Sequence, residues 1–272
     1  MANDFLGTIV TKKHALIESR RAYYVNLRTH LVKSAYSRYG VFKKSISKPG
    51  EIALVAEIKK ASPSKGVLRD DFNVEDIARA YEQAGASALS VLTEEEFFQG
   101  KPAYLKHVSE SIHLPILMKD FFIDELQLFE ARYCGASAVL LIVAILDDEQ
   151  LGSLLRSAHD LDLDCVVEVH DEEELHRALK SGADILGVNN RDLRSFDTSL
   201  AVAEKLIPMI PEDKVIVAES GIKSYQDVKR LKELGADAVL IGETFMKERD
   251  IGAKVREVMT GKQVTSHRPQ VT

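Results

Sequence analysis

A four-residue pattern recurs along the chain: Gly85-Ala86-Ser87-Ala88, Gly135-Ala136-Ser137-Ala138, Gly182-Ala183-Asp184-Ile185 and Gly235-Ala236-Asp237-Ala238. The first glycines of successive copies are 50, 47 and 53 residues apart. An amphipathic segment precedes each copy and a short apolar, β-rich run follows it, so each copy joins a helix end to the next strand. An interval of this length holds two strand–helix units, and four double units make eight strands. The glycine suits a helix end that needs positive φ, and the alanine allows tight entry beneath a sheet. An open doubly wound sheet would show the same alternation but gives no reason for a regular four-fold interval. The expected fold class is therefore α/β, a (β/α)8 TIM barrel.

The candidate strands are 52–58, 88–92, 115–119, 138–142, 164–169, 185–188, 215–218 and 238–241. Several are nearly continuous apolar runs, as expected of strands covered by helices on one face and by a packed barrel interior on the other. Ahead of them, residues 8–45 read as helical and rich in Lys and Arg, with Ile17, Tyr24, Leu27 and Leu31 spaced along one apolar face. The expected organisation is a helical N-terminal extension over 1–47, a barrel over 48–260, and a polar, aperiodic tail over 261–272 that is expected to be disordered.

Composition narrows the function classes. Hydrophobic residues make up 45% and charged residues 29% of 272, enough apolar side chains for a sizeable core. With a net charge of -6 and scattered basic residues there is no basic stripe for nucleic acid. Cys134 and Cys165 are far apart and lack metal-ligand spacing, so neither a disulfide framework nor a zinc site is indicated. The chain shows no signal peptide and no run of 18 apolar residues. A cytoplasmic protein, off the membrane and a monomer or weak homo-oligomer, is expected.

Active sites of such barrels lie at the C-terminal ends of the strands. Strand one runs into Glu57, Lys59 and Ser62-Pro63-Ser64, strand three ends at Lys119-Asp120, and strand five carries Glu168 and His170. Strand six runs into Asn189, Asn190 and Arg191, strand seven into Glu219-Ser220-Gly221, and strand eight into Gly242-Glu243-Thr244. Lys and Glu are expensive to bury unpaired, so several of each at one mouth imply pairing, a ligand, or both. A structural network at the rim explains any one of them, but not six strand ends at once. Ser220-Gly221, ahead of a helix expected near Lys223, and Gly242-Glu243-Thr244 offer backbone N–H groups where barrels of this kind hold a phosphate. Phe98 and Phe121 flank strand ends two and three and could wall an aromatic substrate. His170 reads as a loop or capping residue. No P-loop, dinucleotide fingerprint or His-Glu-x-x-His motif is present.

Taken in order, Glu57-Ile58-Lys59-Lys60-Ala61-Ser62-Pro63-Ser64, Leu92-Thr93-Glu94, Leu117-Met118-Lys119-Asp120-Phe121, Glu168-Val169-His170, Gly187-Val188-Asn189-Asn190-Arg191-Asp192-Leu193 and Glu219-Ser220-Gly221 resemble the indole-3-glycerol phosphate synthases. The resemblance implies closure of 1-(2-carboxyphenylamino)-1-deoxyribulose 5-phosphate to indole-3-glycerol phosphate, with loss of carbon dioxide and water, by a carboxy-lyase of tryptophan synthesis that needs no cofactor. It implies Lys119 as general acid, Lys59 pairing the substrate carboxylate, Glu168 assisting proton removal and dehydration, and Glu57 and Asn189 positioning these groups. Arg191, Glu219 and Ser220 would be further pocket contacts. Ser62, Gly221, Gly242, Glu243 and Thr244 would hold the phosphate, with Thr244 standing where the family often has serine, and Phe98 and Phe121 would pack the anthranilate ring. A partly desolvated Lys119 beside Lys59 is expected to have its pKa pulled down from the ordinary value of roughly 10.4.

Two other readings stand beside this one. Another phosphate-binding barrel, a phosphoribosylanthranilate isomerase, would need a cysteine and an aspartate as base and acid, and Cys134 and Cys165 are poorly placed for that. A non-catalytic barrel binding a phosphorylated metabolite would leave the lysine–glutamate cluster unexplained.

Overall fold

Residues of alternate parity along each apolar run face opposite sides, because successive side chains of a strand point to opposite faces. In the computed structural model, which describes residues 5–31, 39–192 and 196–262, this alternation sorts the core into two layers. Val55, Leu117, Leu140, Val166, Ile185, Val217 and Leu240 pack together inside the barrel. Ala56, Met118, Leu141, Val167, Leu186, Ala218 and Val239, their chain neighbours, pack outward against the helices.

Among the described residues, α1 (Phe5–Ser19), α2 (Arg21–His30) and α3 (Val41–Ile46) precede the barrel. The barrel follows as β1 (Ala53–Ile58), α4 (Val74–Gln83), β2 (Ala88–Leu92), α5 (Pro102–Ser111), β3 (Ile116–Lys119), α6 (Leu126–Tyr133), β4 (Ala138–Ile142) and α7 (Asp148–Asp160). Its second half is β5 (Asp164–Val169), α8 (Glu172–Lys180), β6 (Ile185–Asn189), α9 (Ala201–Leu206), β7 (Val215–Glu219), α10 (Tyr225–Leu234), β8 (Ala238–Ile241), α11 (Glu243–Met246) and α12 (Ile251–Thr260). The eight strands close into a parallel barrel, β1 pairing with both β2 and β8. No described helix is long and apolar enough to cross a membrane.

The repeated glycines sit where the interval placed them. Gly85, Gly135, Gly182 and Gly235 have φ of +92, +90, +85 and +107°, ending α4, α6, α8 and α10 in the left-handed region. The alanines after them are all buried.

The N-terminal region differs from one continuous helical stretch. The chain turns at Arg20, whose φ of -107° and ψ of 10° lie outside the helical well, and α2 ends at Leu31 in extended backbone. Leu31, at the end of α2, is half-buried, whereas Ile17, Tyr24 and Leu27 are buried. Residues 32–38, and most of the expected tail (263–272), lie outside the described residues. The short α3 closes the N-terminal end of the barrel: Phe42 and Ile46 join the interior cluster, while the Gly40 and Lys43 amides each donate to the Asp164 carboxylate at 3.0 Å. At the opposite end, Ile9 of α1 packs into the same interior cluster with Phe121, and Phe5 meets the rings of Phe97 and Phe196 edge-on at 5.3 and 5.0 Å. Lys13 forms an ion pair with Asp120, both side chains only 6% exposed. A buried pair of this kind resists loss of either partner, because the survivor would be left as an uncompensated charge. That ties α1 to the residue next to Lys119.

Candidate active site

The inward phase of each strand, carried to its C-terminal end, delivers a polar side chain into the mouth. Val55 leads to Glu57, Leu117 to Lys119, Val166 to Glu168, Ile185 and Gly187 to Asn189, and Val217 to Glu219. All five line a cavity of about 880 Å³, together with Lys59, Phe98, Phe121, Arg191, Ser220, Gly221, Gly242, Glu243 and Thr244. Cys134 caps α6 and Cys165 packs on the outer layer; neither lines the cavity.

Lys119 is the hub. Its ammonium donates to Glu219 Oε2 at 2.6 Å and lies 3.5 Å from Glu168 Oε2. Burial works against the charge, but Glu219, then Glu168 and Glu57, outweigh it and hold the ammonium above the ordinary lysine value. This reverses the expected downward shift. The lysine expected to repel Lys119, Lys59, is itself ion-paired with Glu57, and Glu219, expected as a substrate contact, lines the cavity and is also the nearest counter-ion of Lys119.

The carboxylates divide by partner. Burial raises the pKa of Glu168, yet Lys119, then His170 and Asn189, override it and keep this acid ionised well below the usual carboxylate range. Burial also raises Glu219, and there Lys119 does not fully compensate because Glu168 and Glu57 add negative charge; the net shift is upward. One buried carboxylate poised to hold a proton and another held ionised is an arrangement suited to acid–base chemistry.

Two glycines make room for these carboxylates. A β-carbon added at Gly187 would collide with Glu219 Oε1, and one at Gly242 would come within 2.8 Å of the Glu57 β-carbon. Glycine at these positions is a packing requirement of the charged cluster.

The β7 and β8 ends differ in detail from expectation. Helix α10 starts at Tyr225 behind a capping box of Ser224 and Asp227, so Ser220 and Gly221 lie in the connecting loop rather than at the helix N-terminus. Both are left-handed, with φ of +66 and +77°. For Ser220 that conformation costs about 1–2 kcal/mol, a strain that collects at functional sites. Gly242 precedes the short α11. The Thr244 hydroxyl donates to the Ile222 carbonyl at 2.7 Å, so its proton is committed to the fold and its backbone N–H is the group left for a ligand. The Glu243 carboxylate meets Lys247 at 2.5 Å and Arg191 at 3.4 Å. Ser62 is not brought to the cavity. It is buried in a two-residue antiparallel ladder, pairing with Gly66, and its hydroxyl has no hydrogen-bond partner. The turn through Pro63 and Gly66 folds the segment back on itself, and Lys65 lines the cavity from it instead.

Phe98 and Phe121 face each other at 6.3 Å with rings tilted by 37°. Phe196 and Lys223, which sequence reasoning missed, also line the cavity. Their loops carry no pattern that points inward, although an aromatic so close after Asn190-Arg191 was a hint.

The family model for indole-3-glycerol phosphate synthase matches residues 6–258. Proteins named indole-3-glycerol phosphate synthase from Acetivibrio thermocellus and Thermoanaerobacter pseudethanolicus are 53% and 47% identical to the chain, covering 80% and 87% of it and 83% and 89% of their own lengths. Among solved structures, 3-hexulose-6-phosphate synthase from Salmonella typhimurium superposes with a TM-score of 0.61 at 17% identity, over 76% of this chain and 97% of its own. Thiamine phosphate pyrophosphorylase from Pyrococcus furiosus gives 0.59 at 18%, over 76% and 93%. These two likenesses are of fold alone. Family model and relatives together cover the helices ahead of the barrel as well as the barrel itself, and the chain belongs to the indole-3-glycerol phosphate synthase family.

Proposed function

We propose that the chain closes the indole ring of 1-(2-carboxyphenylamino)-1-deoxyribulose 5-phosphate, releasing carbon dioxide and water and leaving indole-3-glycerol phosphate. This makes it a carboxy-lyase of tryptophan synthesis. One observation carries the reading: Lys119, ringed by Glu219 and Glu168, stands in a cavity with an aromatic pair on the β2 and β3 side and glycine loops after β7 and β8. In an eight-strand ring β3 lies across from β7. A substrate with an anthranilate ring at one end and a phosphate at the other spans that mouth.

The roles follow from charge and position. The substrate carboxylate meets the Lys59 ammonium, which Glu57 holds in place. The ring carbon bearing that carboxylate bonds to the ketose carbonyl carbon, and Lys119 donates a proton to the carbonyl oxygen. Because Lys119 stays charged at neutral pH, it is always loaded as an acid, and transfer becomes favourable as the oxygen gains alkoxide character. Carbon dioxide leaves from the ring carbon and restores aromaticity. The new hydroxyl then departs as water on a proton from the Lys59 ammonium, while Glu168, ionised beforehand, accepts the proton lost from the adjacent ring carbon as the double bond forms. Each step is redox-neutral. Asn189 and Glu219 orient Glu168 and Lys119, Arg191 and Ser220 contact the substrate, Phe98 and Phe121 pack its ring, and the backbone N–H groups of Gly221, Gly242, Glu243 and Thr244 receive the phosphate.

The test is turnover of the synthetic substrate followed by indole fluorescence, which the protein does not mask because it contains no tryptophan. Turnover with release of carbon dioxide is expected. Binding of the product without turnover would favour the non-catalytic barrel.

A further inference from the structure

The Glu168 carboxylate is gripped at both oxygens. Oε2 faces Lys119 of β3 at 3.5 Å, and Oε1 lies 3.3 Å from Nε2 of His170, two residues further along its own chain. That nitrogen is buried and has no hydrogen-bond partner, so its 3.3 Å contact with Glu168 is an ion pair rather than a directed hydrogen bond. The opposite ring nitrogen, Nδ1, is 3.0 Å from Glu174 Oε2, and the same oxygen accepts the His170 backbone N–H at 2.8 Å. Glu174 stands in the first turn of α8, whose N-cap, Asp171, accepts the Glu174 amide at 2.9 Å. A histidine serving merely to start a helix would need only its backbone N–H. Here the ring is clamped from behind and turned toward a carboxylate of the cavity, a carboxylate–imidazole–carboxylate line that fixes orientation as such lines do elsewhere.

We propose that His170 is a positioning residue for the proton-accepting Glu168: braced by Glu174, its ring holds one Glu168 oxygen and so aims the other at Lys119 and the substrate. The proposal rests on the assignment of Glu168 as base. The groups facing this carboxylate are Lys119 from β3, Asn189 from β6 and His170 from β5, with Glu219 of β7 and Glu57 of β1 acting on it through Lys119. Burial disfavours the imidazolium, but Glu168 and Glu174 outweigh it and lift the ring's pKa to about 10, so it is a cation throughout the neutral range.

Three variants test this in the full-length enzyme, with the wild type run beside them. His170→Asn keeps a short polar side chain near Glu174 but is too short to meet Glu168. His170→Gln can reach Glu168 without charge, and Glu174→Gln leaves the ring but removes its brace. For His170→Asn, kcat is expected to fall about 10- to 100-fold with KM changed less than about 3-fold, and the acid limb of kcat/KM to move up by about one pH unit or more. His170→Gln should recover part of kcat while keeping the shifted limb. Glu174→Gln should add a new loss of kcat on the alkaline side, as a less stabilised imidazolium titrates between its ordinary value and about 10. A merely structural histidine predicts lower melting temperatures with the pH profile unchanged. Wild-type turnover alongside variants whose kcat and pH profile match it would overturn the proposal and leave the assigned reaction standing. A wild type without turnover would remove the reaction and the proposal together. If His170→Asn does not fold, the Gln variants decide, and unshifted profiles in both refute the role.

Discussion

Gly187→Ala probes the charged cluster without touching a charge. The added β-carbon would fall on Glu219 Oε1 and lie 3.0 Å from Val166 Cγ1 and 3.5 Å from the Glu168 α-carbon. Val166 is fully buried inside the barrel and Glu168 is backbone of the next strand, so neither gives way cheaply. Glu219 must rotate, and its 2.6 Å contact with Lys119 is what it loses. Overpacking of this kind costs about 1–3 kcal/mol. Glu168 still faces Lys119 at 3.5 Å, so the full penalty of stranding a buried charge, about 3–5 kcal/mol, does not apply. A value near 2 kcal/mol lowers the melting temperature by roughly 4–8 °C in a chain of this size. Catalysis should suffer more, because a reacting group displaced by about 1 Å costs about 100-fold in rate. Thermal unfolding and saturating turnover, measured on the same preparation, give both numbers. A variant with the melting temperature lowered but kcat unchanged would show that the placement of Glu219 beside Lys119 is not needed, and would refute the reasoning.

Two further outcomes follow from particular contacts. Thr244→Val should cost about 1 kcal/mol of stability by removing the hydrogen bond to the Ile222 carbonyl, with KM little changed; a rise of about 10-fold or more, the size of a lost charge-assisted bond, would mean that the hydroxyl reaches the phosphate after all. For pH, the pKa of His170 is raised on folding to about 10, so its contribution to stability is complete below the ordinary histidine value and is lost as pH rises toward 10. Glu219 is also raised, but it titrates at about 7, and the buried thiols of Cys134 and Cys165 add their own decline only above the ordinary thiol value, so melting temperatures between about pH 8 and 8.5 isolate the histidine. His170→Asn should flatten the decline in that window, and an equally steep decline in the variant would contradict the assignment.

Much of the fold was legible because it rests on local rules. The left-handed glycines, the apolar strands and their alternation each leave a mark within a few residues of sequence, and β2, β4, β5 and β8 have the expected ends. The inward phase of Glu57, Lys119, Glu168, Asn189 and Glu219 could be read as soon as the strands were placed. What was not legible is pairing across the barrel. Nothing in the sequence tells Lys119 to choose Glu219 over Glu168, or tells Lys13 to reach Asp120, since these contacts depend on closure of the whole ring. The reversed shift at Lys119 follows from that: charge counting along the chain saw a second lysine nearby, whereas the closed barrel supplies three carboxylates. The ladder at Ser62 was illegible for a related reason, because a turn of Pro and Gly reads equally as an anion loop and as the ladder it forms.

The most direct test of the account is Lys119→Met assayed with the carboxyphenylamino deoxyribulose phosphate. Loss of the general acid is expected to reduce indole formation by about a thousand-fold or more, while thermal unfolding stays cooperative and product still binds at the phosphate loops. Indole formation near the wild-type rate in that variant would contradict the central claim that the Lys119 ammonium delivers the proton on which ring closure depends.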